Sequence, residues 1–117
     1  MAQQLLVDLY GCDPALLDDP ASVSAVARSV VCDIGAEVVD ELVHEFEPVG
    51  VTYVAIITTS HVSIHTWPEL GYAALDVFSC SDGVPAAIAD AVSRSFGATS
   101  NCIKSVIREV GGGNHEV

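Results

Sequence analysis

Twelve residues, Thr58 to Glu69 (TTSHVSIHTWPE), gather three threonines, two serines, two histidines, the single tryptophan and a Pro-Glu step. Hydroxyls and imidazoles at this density allow metal binding, nucleophilic hydrolysis or chemistry on the chain itself. Metal binding fits poorly. His61 and His65 are four apart, a metal-binding interval on a helix, but the local pattern is that of a strand. On a strand they share a face yet stand too far apart for one ion, and no HExxH or third ligand is near, so no metal is expected. A serine hydrolase fits no better, because the chain has no Gly-x-Ser-x-Gly elbow and is small for that fold. The third option comes from the turn. The run "GVTYVAIIT" must reverse into "HVSIHTW" at Thr58-Thr59-Ser60-His61, without the Gly, Asn or Pro that ease a reversal. Such a turn is a place for stored backbone strain. A serine there can attack the carbonyl before it and convert the amide to an ester. A nearby base can then remove the serine Cα proton and eliminate the ester. That leaves dehydroalanine, which hydrolyses to a pyruvoyl group.

The elements around this turn follow from periodicity and punctuation. "QQLLVDLY" is a short apolar strand ended by Gly-Cys-Asp-Pro. "DPASVSAVARSVVCDIGAE" opens on Asp-Pro, has helical spacing at Val23, Val26, Ala27, Val30, Val31 and Ile34, and stops at Gly35. "EVVDELVHEFEP" is an imperfectly alternating strand, "GVTYVAIIT" a buried one, "HVSIHTW" an alternating one, and "YAALDVFSC" follows a turn over Pro68–Gly71. "VPAAIADAVSRSFG" is a second helix ending at Gly97, and "SNCIKSVIREV" a last alternating strand. The order β-α-β-β-β-β-α-β, with short connections in the middle, predicts an α+β two-layer sandwich: a mostly antiparallel sheet with two helices on one face. Residues 111–117 read as a loose tail.

Length and composition bound the rest. A chain of 117 residues, 50% hydrophobic and 17% charged, is one globular domain. Its net charge of −12, with only four Lys and Arg, argues against nucleic acid or an anionic membrane as partner. The acidity would suit a cationic ligand, although solubility or a saline cytosol also accounts for it. The four cysteines, Cys12, Cys32, Cys80 and Cys102, form no CxxC pair. With no signal-like N-terminus and no long apolar run, free thiols in a reducing cytoplasm are expected.

The segment "TTSHVSIHTWPELGYAALDVFSC" resembles the core signature of prokaryotic S-adenosylmethionine decarboxylase proenzymes: Ser-His-x-(Ser/Thr)-Ile-His-Thr-Trp-Pro-Glu, then Gly-Tyr-Ala-Ala-x-Asp-x-Phe-x-Cys. "LVDLYGCD" and "HEFEPVGVT" also resemble that family, so the likeness runs from Leu5 to about Arg108. The resemblance implies that Ser60 cleaves the chain after Thr59 and becomes a covalent pyruvoyl group. That gives a beta chain of residues 1–59 and an alpha chain of 60–117. It implies that His65 acts in processing, with Thr52 supporting the scissile peptide. Cys80 would protonate the decarboxylated carbon, a step separate from ester formation. Phe46 would stack on adenine and Glu69 would bind the ribose hydroxyls. It further implies a Schiff base between pyruvoyl and S-adenosylmethionine, a decarboxylated product used for spermidine, and a dimer of processed protomers.

The chemistry of these residues is consistent with the implied roles. An imidazole with pKa near 6.5 is a competent base, a thiol a competent acid, and one carboxylate holds a ribose diol through two hydrogen bonds. Two departures stand out. The family often has Glu before the processed serine, where this chain has Thr59. Ser60 and His65 are five apart, which on a regular strand puts them on opposite faces, so their meeting requires an irregular strand or a bend. Other readings remain: Cys80 as a core thiol, Phe46 as core packing, Glu69 as a turn carboxylate, with Cys12, Cys32 and Cys102 structural. A pyruvoyl-dependent arginine or ornithine decarboxylase on the same scaffold is the alternative enzyme. It would not need Phe46 and Glu69. An unprocessed regulatory partner would be expected to lack Ser60, His65 or Cys80, and all three are present.

Overall fold

The computed structural model describes residues 2–80 and 84–111. Six strands form one antiparallel sheet: β1 (Ala2–Tyr10), β2 (Val38–Glu45), β3 (Val51–Ile57), β4 (Ser60–Trp67), β5 (Tyr72–Ser79) and β6 (Ser100–Arg108). Their spatial order is β2-β3-β4-β5-β1-β6. Among the described residues three helices, α1 (Pro14–Leu17), α2 (Pro20–Asp33) and α3 (Ala87–Phe96), accompany the sheet, with one 3-10 turn at Pro68–Leu70. The α+β sandwich and the antiparallel sheet agree with the sequence reading, and every expected strand and helix is present. The tail beyond Gly111 lies outside the described residues.

Two details differ from that reading, each for a local reason. The four-residue α1 was hidden in a turn signal: Asp13 caps it by accepting from the Ala15 amide, and Pro14 supplies the first helical φ. β2 alternates imperfectly because its pairing with β3 slips between Val38 and Asp40, a bulge in an edge strand.

The core lies between the sheet and the helices. Leu5, Val7 and Leu9 of β1, Val51, Tyr53, Ala55 and Ile57 of β3, Val62 and Ile64 of β4, and Ala73, Leu75 and Val77 of β5 all point that way and are buried. They pack with Val23, Ala27, Val30 and Val31 of α2 and Ile88, Val92 and Phe96 of α3. The edge strand β2 is tied to α2 by Arg28, which pairs with Glu41 at 2.6 Å, while the Tyr53 hydroxyl donates to the same carboxylate. Burial, reinforced by that contact, pushes the Tyr53 phenol well above its ordinary range.

The opposite face of the sheet carries no described helix. The ladder places His44, Thr52 and His65 in one row across β2, β3 and β4 on that face, with Leu42, Val54 and Ser63 in the next. Its middle is polar: Gln4 donates to Asp76 at 3.0 Å, and His61 lies 3.9 Å from the same carboxylate. Its β2–β3 flank is apolar, with Leu42 69% and Ile56 56% exposed. No described helix is long and apolar enough to cross a membrane.

Candidate active site

The motif is shared between two clusters at opposite ends of β4. The first surrounds the β3–β4 turn. Thr58 and Thr59 form a two-residue reversal between Ile57 and Ser60, which face each other across the hairpin. Thr59 has φ 59°, in the left-handed region, and is the only described residue other than glycine to do so. A β-branched side chain is costly there, on the order of 1–3 kcal/mol, so the turn is strained at the residue before the candidate nucleophile.

Cys80 reaches this turn from the end of β5. Its amide donates to Ser60 Oγ at 3.1 Å, and its thiol donates to the Thr59 carbonyl oxygen at 3.2 Å. The two groups an acyl shift at this turn would use, the Ser60 hydroxyl and the Thr59 carbonyl, are therefore both held by one residue. Cys80 is exposed and is not a core thiol. Twenty residues separate it from Ser60 in the chain, and the β4–β5 hairpin closes that distance. A cavity of about 400 Å³ opens beside the turn, between Thr58–Ser60 and the loop Ile34–Glu37.

The second cluster lies at the other end of β4. Phe46, Thr52, His65, Trp67 and Glu69 line one cavity of about 390 Å³. Thr52 Oγ1 is 3.0 Å from His65 Nδ1, so the hydroxyl fixes the ring and leaves Nε2 available. Phe46 is 46% exposed and is not core packing. Glu69 stands on the 3-10 turn after Trp67, whose ring lies 6.4 Å from His65 and 5.2 Å from Tyr72. Tyr72 donates to Asp8, and that bond, with burial, raises its phenol to about 12.

The densest part of the motif is partly scaffolding. Thr66 is buried; its hydroxyl accepts from the Val51 amide at 2.9 Å and donates to the Leu17 carbonyl at 2.8 Å, pinning α1 under the sheet. Asp18 accepts from the Gly50 amide at 2.9 Å, and the Gly50 carbonyl accepts from the Phe46 amide at 2.8 Å. Gly50 has φ 111°, and a Cβ there would stand 3.2 Å from the Thr66 carbonyl oxygen, so only glycine suits this approach. Together these bonds set the loop that carries Phe46.

The structure thus joins Thr59, Ser60 and Cys80, and separately joins Phe46, Thr52, His65 and Glu69. It does not join Ser60 to His65 within one chain. β4 is regular from Ser60 to Trp67, so the two side chains leave on opposite faces, roughly 16 Å apart along the strand. The two Cys80 contacts had no signal in the sequence, since one is made by a backbone amide. A contact of His44 with Phe46 was also missed, although their i, i+2 spacing at a strand end was a cue. Cys32 and Cys102 are exposed and play no core role, whereas Cys12 is buried, which raises its pKa. Among the described residues no three His, Cys, Asp or Glu side chains are grouped as metal ligands.

Comparison with known proteins bears on these clusters. The family model for S-adenosylmethionine decarboxylase matches residues 3–109. The S-adenosylmethionine decarboxylase proenzyme of Parasynechococcus marenigrum (strain WH8102) is 42% identical over 110 residues, covering 93% of this chain and 86% of that relative. The proenzyme of the same description from Caldanaerobacter subterraneus subsp. tengcongensis is 45% identical over 84 residues, 72% of this chain and 68% of the other. The crystal structure of the adenosylmethionine decarboxylase from Aquifex aeolicus VF5 superposes with a TM-score of 0.80 at 27% identity, covering 93% of this chain and 94% of that one. A fold, a strained Thr59-Ser60 turn held by Cys80 and a family match over nearly the whole chain converge: this chain belongs to the S-adenosylmethionine decarboxylase family.

Proposed function

We propose that the chain is a proenzyme that cleaves itself between Thr59 and Ser60 and then decarboxylates S-adenosylmethionine. The observation that carries this reading is the Thr59–Ser60–Cys80 cluster: a left-handed threonine whose carbonyl takes the Cys80 thiol, next to a serine oxygen aligned by the Cys80 amide. Ser60 Oγ attacks the Thr59 carbonyl carbon, and the charge that builds on the carbonyl oxygen is met by the thiol. The C–N bond breaks as the nitrogen takes a proton, leaving an ester. A base removes the Ser60 Cα proton, the Cβ–O bond breaks, and Thr59 departs as a carboxylate. Hydrolysis of the dehydroalanine releases ammonia and leaves a pyruvoyl group on residues 60–117. Cleavage also relieves the conformation forced on Thr59.

Ser60 therefore fits as the precursor of the group. Once formed, a pyruvoyl carbonyl supplies an electron sink for a substrate amine whose carboxylate leaves as CO2. The chain's own residues do the rest. Cys80 Sγ, at the same end of β4, would deliver the proton to the carbon that lost CO2. Phe46 offers a flat face to adenine and Glu69 a carboxylate to the ribose diol. The aromatic lining and the acidity of the chain suit a sulfonium. That lining favours a nucleoside-bearing substrate over arginine or ornithine. Four free thiols fit a cytoplasmic setting.

The base and the nucleoside site lie at the far end of β4, so one protomer holds two halves of the site and no whole one. A second copy completes it. If two protomers pack through their helix-free faces about a two-fold axis crossing β4 near Ser63, the strands run in opposite directions. His65, Thr52, Phe46 and Glu69 of each copy then lie across from the β3–β4 turn of the other, and the Ser60 side chain, which leaves β4 on the helix face, has to swing around that strained turn to meet them. Exposed Leu42, Val54 and Ile56 provide apolar area for that packing. The expected assembly is a dimer with two copies of each fragment.

The substrate is tested by CO2 release from S-adenosylmethionine, arginine and ornithine by the processed protein. Release from S-adenosylmethionine alone is expected. Release from arginine or ornithine instead would return Phe46 and Glu69 to surface residues.

A further inference from the structure

The adenine-stacking ring has little to hold it. Phe46 follows the last residue of β2, is half exposed, and donates its amide to the Gly50 carbonyl. A ring in that setting can turn about its side-chain torsions, and a stacking platform that turns costs binding energy when it is fixed. The His44 side chain opposes the turning. His44 lies two residues earlier on the same face of the sheet, and its ring meets Phe46 edge-on, with centroids 4.5 Å apart and planes at 67°. This is the shortest of the ring contacts found among the described residues. His44 is in turn the β2 partner of Thr52, whose hydroxyl holds His65. His44, Thr52 and His65 therefore stand in one row across β2, β3 and β4, and the ring contact of His44 is with Phe46.

We propose that His44 is a positioning residue: it holds the Phe46 ring upright at the mouth of the cavity so that a ring face is presented to the adenine. This rests on the nucleoside reading of that cavity. His44 acts through Phe46 and touches no reacting atom. Edge-to-face pairs are worth enough to change a binding constant by roughly three- to ten-fold.

The test uses the processed dimer and 5′-methylthioadenosine, a nucleoside without the amino acid, measured by calorimetry, together with steady-state decarboxylation. His44→Ala should weaken nucleoside binding and raise KM by that roughly three- to ten-fold factor, with kcat and the extent of self-cleavage unchanged. His44→Phe, which keeps a ring edge, should stay near wild type. In a Phe46→Ala background, His44→Ala should cost nothing further, because the partner it acts through is gone. Wild-type affinity in His44→Ala, or an equal loss in the Phe46→Ala background, overturns the positioning role and leaves the nucleoside site standing. Wild-type affinity in Phe46→Ala alone overturns the nucleoside site, and the role of His44 with it.

Discussion

Ser60→Ala should remain a single uncut chain and release no CO2 from S-adenosylmethionine. The replacement removes only the attacking oxygen. The strain at Thr59 and the Cys80 thiol on its carbonyl remain, but neither can break the peptide without a nucleophile. No other hydroxyl can substitute by the same route, because the acyl shift needs a side-chain oxygen on the residue that follows the carbonyl. Thr59 Oγ1 already donates to the Thr58 carbonyl at 2.7 Å and belongs to the residue before the cleaved bond. The loss is complete: without cleavage there is no pyruvoyl group, and without it no electron sink. Gel mobility and a CO2 assay on the same preparation check both halves. A Ser60→Ala protein that still splits into two fragments would move the cleavage site elsewhere.

Cys80→Ala should cleave more slowly than wild type, and its processed form should turn over about 10²-fold more slowly or worse, the usual worth of a positioned general acid. The sequence alone placed the thiol only in protonation. Its 3.2 Å contact with the Thr59 carbonyl would add a part in cleavage, as a donor to the developing oxyanion. The amide bond to Ser60 Oγ is made by the backbone and survives the substitution, so cleavage slows but does not stop. The same variant tests the composite site. Cys80→Ala removes a group from the Ser60 end, and Glu69→Gln one from the nucleoside end. Each homodimer has two damaged sites, whereas a mixed dimer has one site carrying both changes and one carrying neither. Co-expression with random assortment should restore about a quarter of wild-type activity. No recovery in verified mixed dimers would mean that each site draws its residues from one chain.

Most of the fold was legible because its signals are local. β3, β4 and β5 alternate with period two, Gly35 and Gly97 end the long helices in left-handed conformations, and Asp19-Pro20 opens one. What escaped was non-local or too short to show a period, such as the four residues of α1 and the slip in β2. The candidate site divides the same way. The missing turn residues pointed to strain at the β3–β4 reversal, and Thr59 carries it. The odd spacing of Ser60 and His65 warned of opposite faces, and the regular β4 puts them there. Spacing could not show that Cys80 returns to the turn through the β4–β5 hairpin, because register between strands is set by pairing and packing. Nor could the motif separate Thr66, a buried pin, from the hydroxyls that stand near the chemistry.

The most direct test of self-cleavage is the intact mass of the purified wild-type protein after prolonged incubation. Two species are expected, one ending at Thr59 with a free carboxylate and one beginning at residue 60 with a pyruvoyl group and no free α-amine. A single species at the mass of the whole chain, with Ser60 and Thr59 still joined, would contradict it.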